Sequence, residues 1–403
     1  RAPFYRAADA RIDAAAAIDA VADAVIAAAE GRSSSSRRLF DAEVRRDHPM
    51  GPRQARVVLG SDLDAAALGS ILAPTSSGTP VVVADRRAAA ALPSLMAALP
   101  ARRQQLIAAG ERQKRLRTVE RLLDAASQVG AERGDAWIGV GGGTTTDMVG
   151  AAAALYLRGV PFVALPTTWL GMTDAAIGGK VGVDLSAAKN AAGAFWPPVA
   201  IVADVTSLRT LPRARRLDGM AESLKSGLIG DPALWRLIET RGRAALRHDE
   251  AARYAAIDRS VQLKLGVVER DPFESGERRN LNLGHTLGHA LEIESGYRLP
   301  HGQAVVLGLR AVAAMAQGRG AEPGLDEHID SVVSSLGYRL RRDFDPVALK
   351  AALSSDKKRH KGRQRWILPM SVGRVSEVDD ISDAELDAAI HVISSDAPPR
   401  VAT

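Results

Sequence analysis

The sequence contains no cysteine. That absence excludes disulfides and thiolate metal sites, so any bound metal has to be held by histidine, aspartate or glutamate. The search for ligands narrows to eight histidines and the carboxylates. Aromatic residues make up only 4% of the chain, too few for a surface that reads nucleic acid by stacking its bases. No uninterrupted apolar run reaches the roughly 18 residues that a membrane span requires; a stretch such as AAAALYL is broken at once by Arg158 and Gly159. Neither a membrane nor a nucleic acid is an expected partner. The first residues, RAPFYRAADARID, lack the charged-then-apolar layout of a secretory signal, so the expected location is the cytoplasm.

What is present is a chain of 403 residues with 46% hydrophobic content, enough for a large core and better suited to two domains than one. Lysine and arginine exceed aspartate and glutamate by 53 to 47, a net charge of +6. The arginines of ARRQQLIAAGERQKRLRTVERL are interleaved with Glu111, Glu120 and Asp124 and read as a solvated helix rather than a nucleic-acid surface. A basic balance also suits an anionic small-molecule substrate.

Residues 12–30 have the composition and apolar spacing of a helix, and EGRSSSS then reads as a linker. Between residues 55 and 205, short apolar runs (ARVVLG, TPVVVAD, RQQLIAAG, DAWIGVGGG, PFVALP, VAIVAD) alternate with helical stretches, which predicts a parallel sheet flanked by helices. After Pro212 long helical patterns take over, with RQRWILPMSVGRVSEV as a late hairpin candidate. The expected division is residues 1–36 as helix and linker, 37–211 as an α/β dinucleotide-binding domain and 212–395 as a mostly α-helical metal- and substrate-binding domain.

Three constellations carry chemistry. In DAWIGVGGGTTTDMVG a strand runs into consecutive glycines and then a helix, where a pyrophosphate could approach the backbone and meet a helix N-terminus. A tight turn with no ligand fits the same residues, and Asp147 reads either as an ordinary first-turn carboxylate or as a residue facing a cofactor. LNLGHTLGHALE sets His285 and His289 on one helical face, a spacing that holds a metal or simply packs. His301 in RLPHGQAV reads as a loop histidine beside the start of a helix, and Glu222 in LDGMAESLKSGLI is the best carboxylate, although Glu222 and Lys225 also fit a plain i, i+3 surface ion pair. Two histidines and one glutamate leave open positions on a zinc-like ion. The third constellation is a scatter of cations, of which Lys180 is the strongest: Gly178 and Gly179 before it and Gly182 after it suggest a loop wrapped round an anion.

Taken in order, GGGTTTDMVG, YLRG, PTTWLGMTDAAIGGKVGVD, KNAAGAF, LPRARRLDGMAESLK, ERRNLNLGHTLGHALE, LPHGQAV and SDKK resemble the motifs of the 3-dehydroquinate synthase family over roughly residues 55–390. The resemblance implies NAD and a divalent metal, zinc or cobalt, as cofactors, with Glu222, His285 and His301 as metal ligands. It moves His289 beside the substrate. It implies phosphate-side contacts from Lys180, Asn190, Asn282 and Arg158, the last reaching in from a neighbouring subunit. Lys264, Arg278 and Lys358 (or its neighbour Lys357) are implied at the substrate carboxylate, and Asp174 and Lys225 at its hydroxyls. Asp85, Glu111, Lys114, Gly142, Gly143, Asp147, Thr167, Thr168 and Lys189 fall on the cofactor side.

The implied reaction converts 3-deoxy-D-arabino-heptulosonate 7-phosphate to 3-dehydroquinate and phosphate through transient oxidation, elimination, re-reduction, ring opening and aldol closure. A homodimer is implied. The form LNxGHxxGHA favours dehydroquinate over the amino-dehydroquinate and valiolone-type relatives, and the anion-binding positions favour a cyclase over a metal-dependent polyol dehydrogenase. No expected polar position is replaced by an apolar one, which argues against a non-catalytic scaffold. Separately, RAPFYRAADARID resembles the C-terminal tail of a shikimate kinase, which implies a kinase fused ahead of the cyclase.

Overall fold

The structure is a computed structural model that describes residues 37–42, 55–99, 103–108, 110–186, 188–355, 359–360 and 363–395. The helix and linker expected over residues 1–36, and Lys357 and Lys358, lie outside the described residues. Contacts divide the described chain into two units, one containing residues 37–216 and Lys264–Pro272, the other Leu217–Leu263 and residues 273–395.

The first unit is built on nine strands: β1 (Arg37–Ala42), β2 (Ala55–Gly60), β3 (Val81–Asp85), β4 (Gln104–Ile107), β5 (Trp137–Gly141), β6 (Phe162–Pro166), β7 (Lys180–Val183), β8 (Ala192–Phe195) and β9 (Ala200–Asp204). Seven form one sheet in the order β1-β2-β9-β6-β5-β3-β4, in which β1 is antiparallel to β2 and the other pairings are parallel. Parallel strands are covered on both faces, so they read as continuous apolar runs; VVVA of β3 and WIGVG of β5 are buried throughout. Val58, Val82, Ile138, Val140, Val163, Leu165 and Val202 form the centre of this core.

From β3 the chain goes outward to β4, then returns to lay β5 on the other side of β3 and continues to β6. The connections therefore diverge between β3 and β5, and in open parallel sheets ligands bind at the carboxyl ends of the strands where this happens. Asp85 ends β3, and the Gly141–Gly142–Gly143 turn ends β5. The two ends meet closely: a Cβ on Gly141 would stand 3.1 Å from the Cβ of Asp85.

Two expectations are corrected here. The arginine-rich stretch is not one helix: Gln104–Ile107 is the strand that the run RQQLIAAG predicts, Glu111–Gln113 is a 3₁₀ turn, and the helix covers only Leu116–Gln128, because Gly110 adopts a φ of 127° that breaks helical continuity. Lys180, likewise, does not lie in a glycine loop. It opens β7, which pairs with β8, and Gly182 is small for a different reason: its Cβ would meet the Ala192 carbonyl oxygen at 2.8 Å across the hairpin.

The second unit is mainly helical and includes the helices Pro232–Ala245, His285–Glu294, His301–Gln317, Leu325–Leu336, Pro346–Ser355 and Asp383–Ile393. The hairpin expected from RQRWILPMSVGRVSEV is present as Trp366–Ser371 paired with Arg374–Val378. Capping follows side-chain chemistry: Asp231 accepts from the Leu234 N–H, and Ser382 with Glu385 forms a capping box. Around the histidines the helices approach at backbone distance. A Cβ on Gly308 would lie 1.9 Å from the Gly284 carbonyl oxygen, one on Gly302 2.2 Å from the Asp218 carbonyl oxygen, and one on Gly288 3.2 Å from that of Ala304. Glycine is the residue that permits such an approach.

Gly308→Ala should therefore force these segments apart and destabilise the protein by about 1–3 kcal/mol, read as a lowered denaturation midpoint. Gly69→Ala, in a helix where the added Cβ meets nothing within 4 Å, should be neutral or stabilising by up to about 1 kcal/mol. Equal effects of the two substitutions would contradict this account of the packing.

Candidate active site

Among the described residues, two groups of side chains bring metal-ligating atoms within 4.8 Å of one another: Glu222, His285 and His301, and His289, Glu292 and His301. All belong to the second unit. Glu222 lies in the Arg213–Gly230 helix, His285 is the first residue of its helix after Gly284 in the left-handed conformation (φ 74°), and His301 is the first residue of the next.

In the first group Glu222 Oε1 is 3.3 Å from His285 Nε2 and 3.2 Å from His301 Nε2. The opposite nitrogens are also held, His285 Nδ1 at 3.1 Å from the Leu283 carbonyl oxygen and His301 Nδ1 at 3.3 Å from Glu292 Oε2. A hydrogen on each Nδ1 leaves each Nε2 directed at the Glu222 oxygen. Two imidazole nitrogens and one carboxylate oxygen suit a borderline divalent ion such as zinc and leave further positions open.

Glu222 is only 2% exposed. Burial works to raise its pKa, but Lys225 and the two histidines outweigh that and hold the carboxyl well below its usual range. Lys225 Nζ lies 2.5 Å from Glu222 Oε2. The i, i+3 pair read from the sequence is real, but it is buried rather than on the surface. Burial and the Lys225 charge press His285 below its ordinary pKa, against the pull of Glu222. For His301 burial also acts downward, yet its bonds to Glu222 and Glu292 prevail and push it up to about 10.

His289, the other member of the helical pair, stands with its ring 5.3 Å from that of His285 and 6.3 Å from that of His301. It is not in the group around Glu222. Helical spacing brings the two histidines near each other, but the Glu222 oxygen selects His285 and His301. Glu292 was missed in the sequence. Its signal is the i, i+7 spacing from His285, which returns a side chain to nearly the same helical face. Arg278, in the Glu277–Asn282 turn, is 2% exposed, and Asn282 Nδ2 donates to Glu274 Oε1 at 2.7 Å.

The first unit assembles the cofactor-side residues. Lys114 Nζ lies 2.5 Å from Asp147 Oδ2 and 2.5 Å from Asn190 Oδ1. Asn190, with φ at 49°, is tied back by its N–H to Asp184 Oδ1 at 2.7 Å, so the residue expected near phosphate partners Lys114. Burial raises Asp147 to about 6 even against the Lys114 charge. Lys189 Nζ pairs with Glu111 Oε1 at 2.9 Å, and Thr144 Oγ1 stands 3.4 Å from Glu111 Oε2.

Gly142 begins the Gly143–Leu155 helix with no side-chain cap and faces Thr168, whose Cγ2 would be 3.1 Å from an added Cβ. The Thr167 N–H donates to the Gly141 carbonyl at 2.8 Å. Asp85 caps the Arg86–Ala91 helix through the Arg87 N–H at 2.9 Å. Lys264 Nζ donates to both the carboxylate and the carbonyl of Asp174, joining two residues that the sequence treated separately. Lys180 is exposed and lines a hollow with Thr146, Asp147 and Gly179. Arg158 is exposed on a turn, at φ 65°.

A family model described as 3-dehydroquinate synthase N-terminal matches residues 104–218, and one described as 3-dehydroquinate synthase C-terminal matches residues 219–359. A 3-dehydroquinate synthase of Xanthomonas campestris pv. campestris (strain 8004) is 40% identical over 288 residues, 69% of this chain and 78% of that protein. The chain belongs to the 3-dehydroquinate synthase family. A 3-dehydroquinate synthase of Xylella fastidiosa (strain M12) is 38% identical over 285 residues, 68% of this chain and 77% of its own length.

Among solved structures, 2-epi-5-epi-valiolone synthase from Streptomyces hygroscopicus subsp. jinggangensis 5008, with NAD+ and Zn2+ bound, superimposes with a TM-score of 0.78 at 29% identity, covering 86% of this chain and 98% of that one. A probable glycerol dehydrogenase from Sinorhizobium meliloti 1021 superimposes at 0.57 with 19% identity, covering 83% and 94% respectively, a likeness of fold alone. The fold is thus shared with dehydrogenases, and the family is decided by sequence. No helix among the described residues is long and apolar enough to cross a membrane.

Substituting Glu222 or His285 by alanine should abolish retention of zinc, whereas His289→Ala should retain it, as measured by metal content after dialysis. Equal loss in both histidine variants would refute the assignment. A second test follows from protonation: His301, at about 10, carries a proton at neutral pH in the metal-free protein. Metal has to displace it. Affinity should therefore fall as pH is lowered from about 10, with roughly one proton released per ion, visible as a buffer-dependent binding enthalpy. A buffer-independent enthalpy would contradict it.

Proposed function

We propose that this chain is a 3-dehydroquinate synthase, a carbon–oxygen lyase that converts 3-deoxy-D-arabino-heptulosonate 7-phosphate to 3-dehydroquinate and inorganic phosphate with NAD and a divalent metal. The observation that carries the reading is the convergence of Glu222 Oε1 with the Nε2 atoms of His285 and His301, in a chain 40% identical to a 3-dehydroquinate synthase. The metal-bearing 29% neighbour supports the choice of cofactors.

In this reading residues 37–211 bind the dinucleotide and 212–395 the metal and substrate. The Gly142–Gly143 turn and the uncapped helix after it receive the pyrophosphate, with Asp147, Thr167 and Thr168 around it and Lys114, Glu111 and Lys189 fixing the neighbouring loop. Asp85 takes the ribose hydroxyls. When bound, NAD would supply reversible hydride-transfer chemistry. Glu222, His285 and His301 would hold a divalent metal, which would supply polarisation of a substrate oxygen.

The rest of the work is positioning. The substrate carries a phosphate and a carboxylate, and the residues assigned to it are mostly cations and amides: Lys180, Asn190, Asn282 and Arg158 for the phosphate, Lys264, Arg278 and Lys358 for the carboxylate. Charge-assisted bonds of this kind fix orientation as well as affinity. Asp174 and Lys225 bind hydroxyls. Lys264 reaches its ligand already held by Asp174, and Lys225 by Glu222, so neither has to be ordered when substrate arrives. His289 stands beside the substrate, next to the metal ligands. A homodimer supplying Arg158 in trans, a cytoplasmic location and a shikimate kinase fused ahead of residue 37 complete the proposal; the last rests on the RAPFYRAAD segment.

The rival with a specific observation behind it is a polyol dehydrogenase, whose fold this chain shares. The two differ in the fate of the hydride. With substrate in large excess over NAD, the synthase should release phosphate far beyond the NAD supplied, with no matching absorbance of NADH. Stoichiometric NADH and no phosphate would overturn the assignment.

A further inference from the structure

The imidazole of His301 is held at both nitrogens, and the ligand roles assigned above cover only one of these contacts. Nε2 faces Glu222 at 3.2 Å; Nδ1 faces Glu292 Oε2 at 3.3 Å. Glu292 lies on the His285–Glu294 helix and is 5% exposed. A carboxylate so far removed from water requires a donor, and the Nδ1–H of His301 is placed to be one.

We propose that Glu292 is a positioning residue of the metal centre, its carboxylate selecting the His301 tautomer and fixing the ring so that Nε2 points at the site formed with Glu222 and His285. The inference rests on the reading of Glu222, His285 and His301 as metal ligands. The two histidines are oriented differently. His285 is oriented by the main chain, through the Leu283 carbonyl, a contact that no side-chain substitution removes. His301 is the first residue of its helix, preceded by Pro300, whose N-cap position makes no side-chain hydrogen bond. Its ring is oriented by another helix, so its direction is open to substitution there. Carboxylates that accept from the far nitrogen of a ligating histidine fix the ring and raise its basicity.

The fold should survive the change. The Glu292 carbonyl accepts from the Tyr297 N–H at 2.7 Å and from Ser295 Oγ at 2.8 Å, and both bonds belong to the main chain of residue 292, not its side chain.

The test is zinc titration of the metal-free full chain against a competing chelator, with stoichiometry and thermal melting measured alongside, for wild type, Glu292→Ala, Glu292→Gln and Glu222→Ala. Glu292→Ala should weaken zinc about 10–100-fold, while metal-free melting stays near wild type. Glu292→Gln, which keeps an acceptor without the charge, should fall between the two, and it carries the test if the alanine variant fails to fold. Unchanged zinc affinity in both Glu292 variants would overturn the proposal, as would two zinc ions per wild-type chain with one lost in Glu292→Ala, which would make Glu292 a ligand of the His289 group. If wild type takes up no zinc, or Glu222→Ala takes it up as tightly, the metal reading itself fails, an outcome distinct from the failure of Glu292 alone.

Discussion

A glutamate carboxylate withdrawn from water in the middle of a helix has to be met by cations or donors from every side it faces, and Glu222 sets that condition for the second unit. Lys225 answers it from the next turn of the same helix, and His285 and His301 answer it from two others. Each of those histidines is the first residue of its helix, so the answer depends on where two helices begin. The glycines at 284, 288, 302 and 308 are what let the backbones come close enough. Breaking a buried ion pair by removing one partner typically costs about 3–5 kcal/mol, so the same carboxylate that prepares a metal centre also ties the unit's packing to it.

The first unit solves a related problem without a buried anion of such depth. Its strands reach their carboxyl ends on either side of the divergence between β3 and β5, and Asp85, the glycine turn and the Thr167–Thr168 segment come together there because the sheet ends there. Lys114 then links Asp147 to Asn190, so a helix N-terminus and the loop leading to β8 are fastened to one ammonium group.

Much of this was legible in sequence where chemistry and period agree. Runs such as VVVA and WIGVG announce buried parallel strands because no residue in them has to face water, and the hairpin at Trp366–Val378 follows from its β-rich composition and the turn glycine, Gly373. The glycine turn and the HxxxH spacing were visible but ambiguous: helical period places His285 and His289 on one face, the family resemblance separates them, and the approach of Glu222 and His301 shows the geometry behind that separation. Lys180 misled because glycines permit two opposite things, an open loop and a tight strand pairing, and Gly182 serves the second. Glu292 escaped notice because an acidic residue on a helix is ordinarily solvated; its meaning depends on which histidine lies across from it.

The donor set around Glu222 has a consequence for chemical durability. Thiolate centres are lost when oxidants carry cysteine to sulfenic or sulfinic acid, but imidazole nitrogen and carboxylate oxygen have no such ladder, and this chain has no cysteine elsewhere to oxidise. Oxidants that dismantle a thiolate centre by that route have no thiol to act on here. What nitrogen and oxygen donors give up in exchange is discrimination: affinity across first-row divalent ions follows their intrinsic order. Which ion fills such a centre is then decided by the supply of metals around the protein.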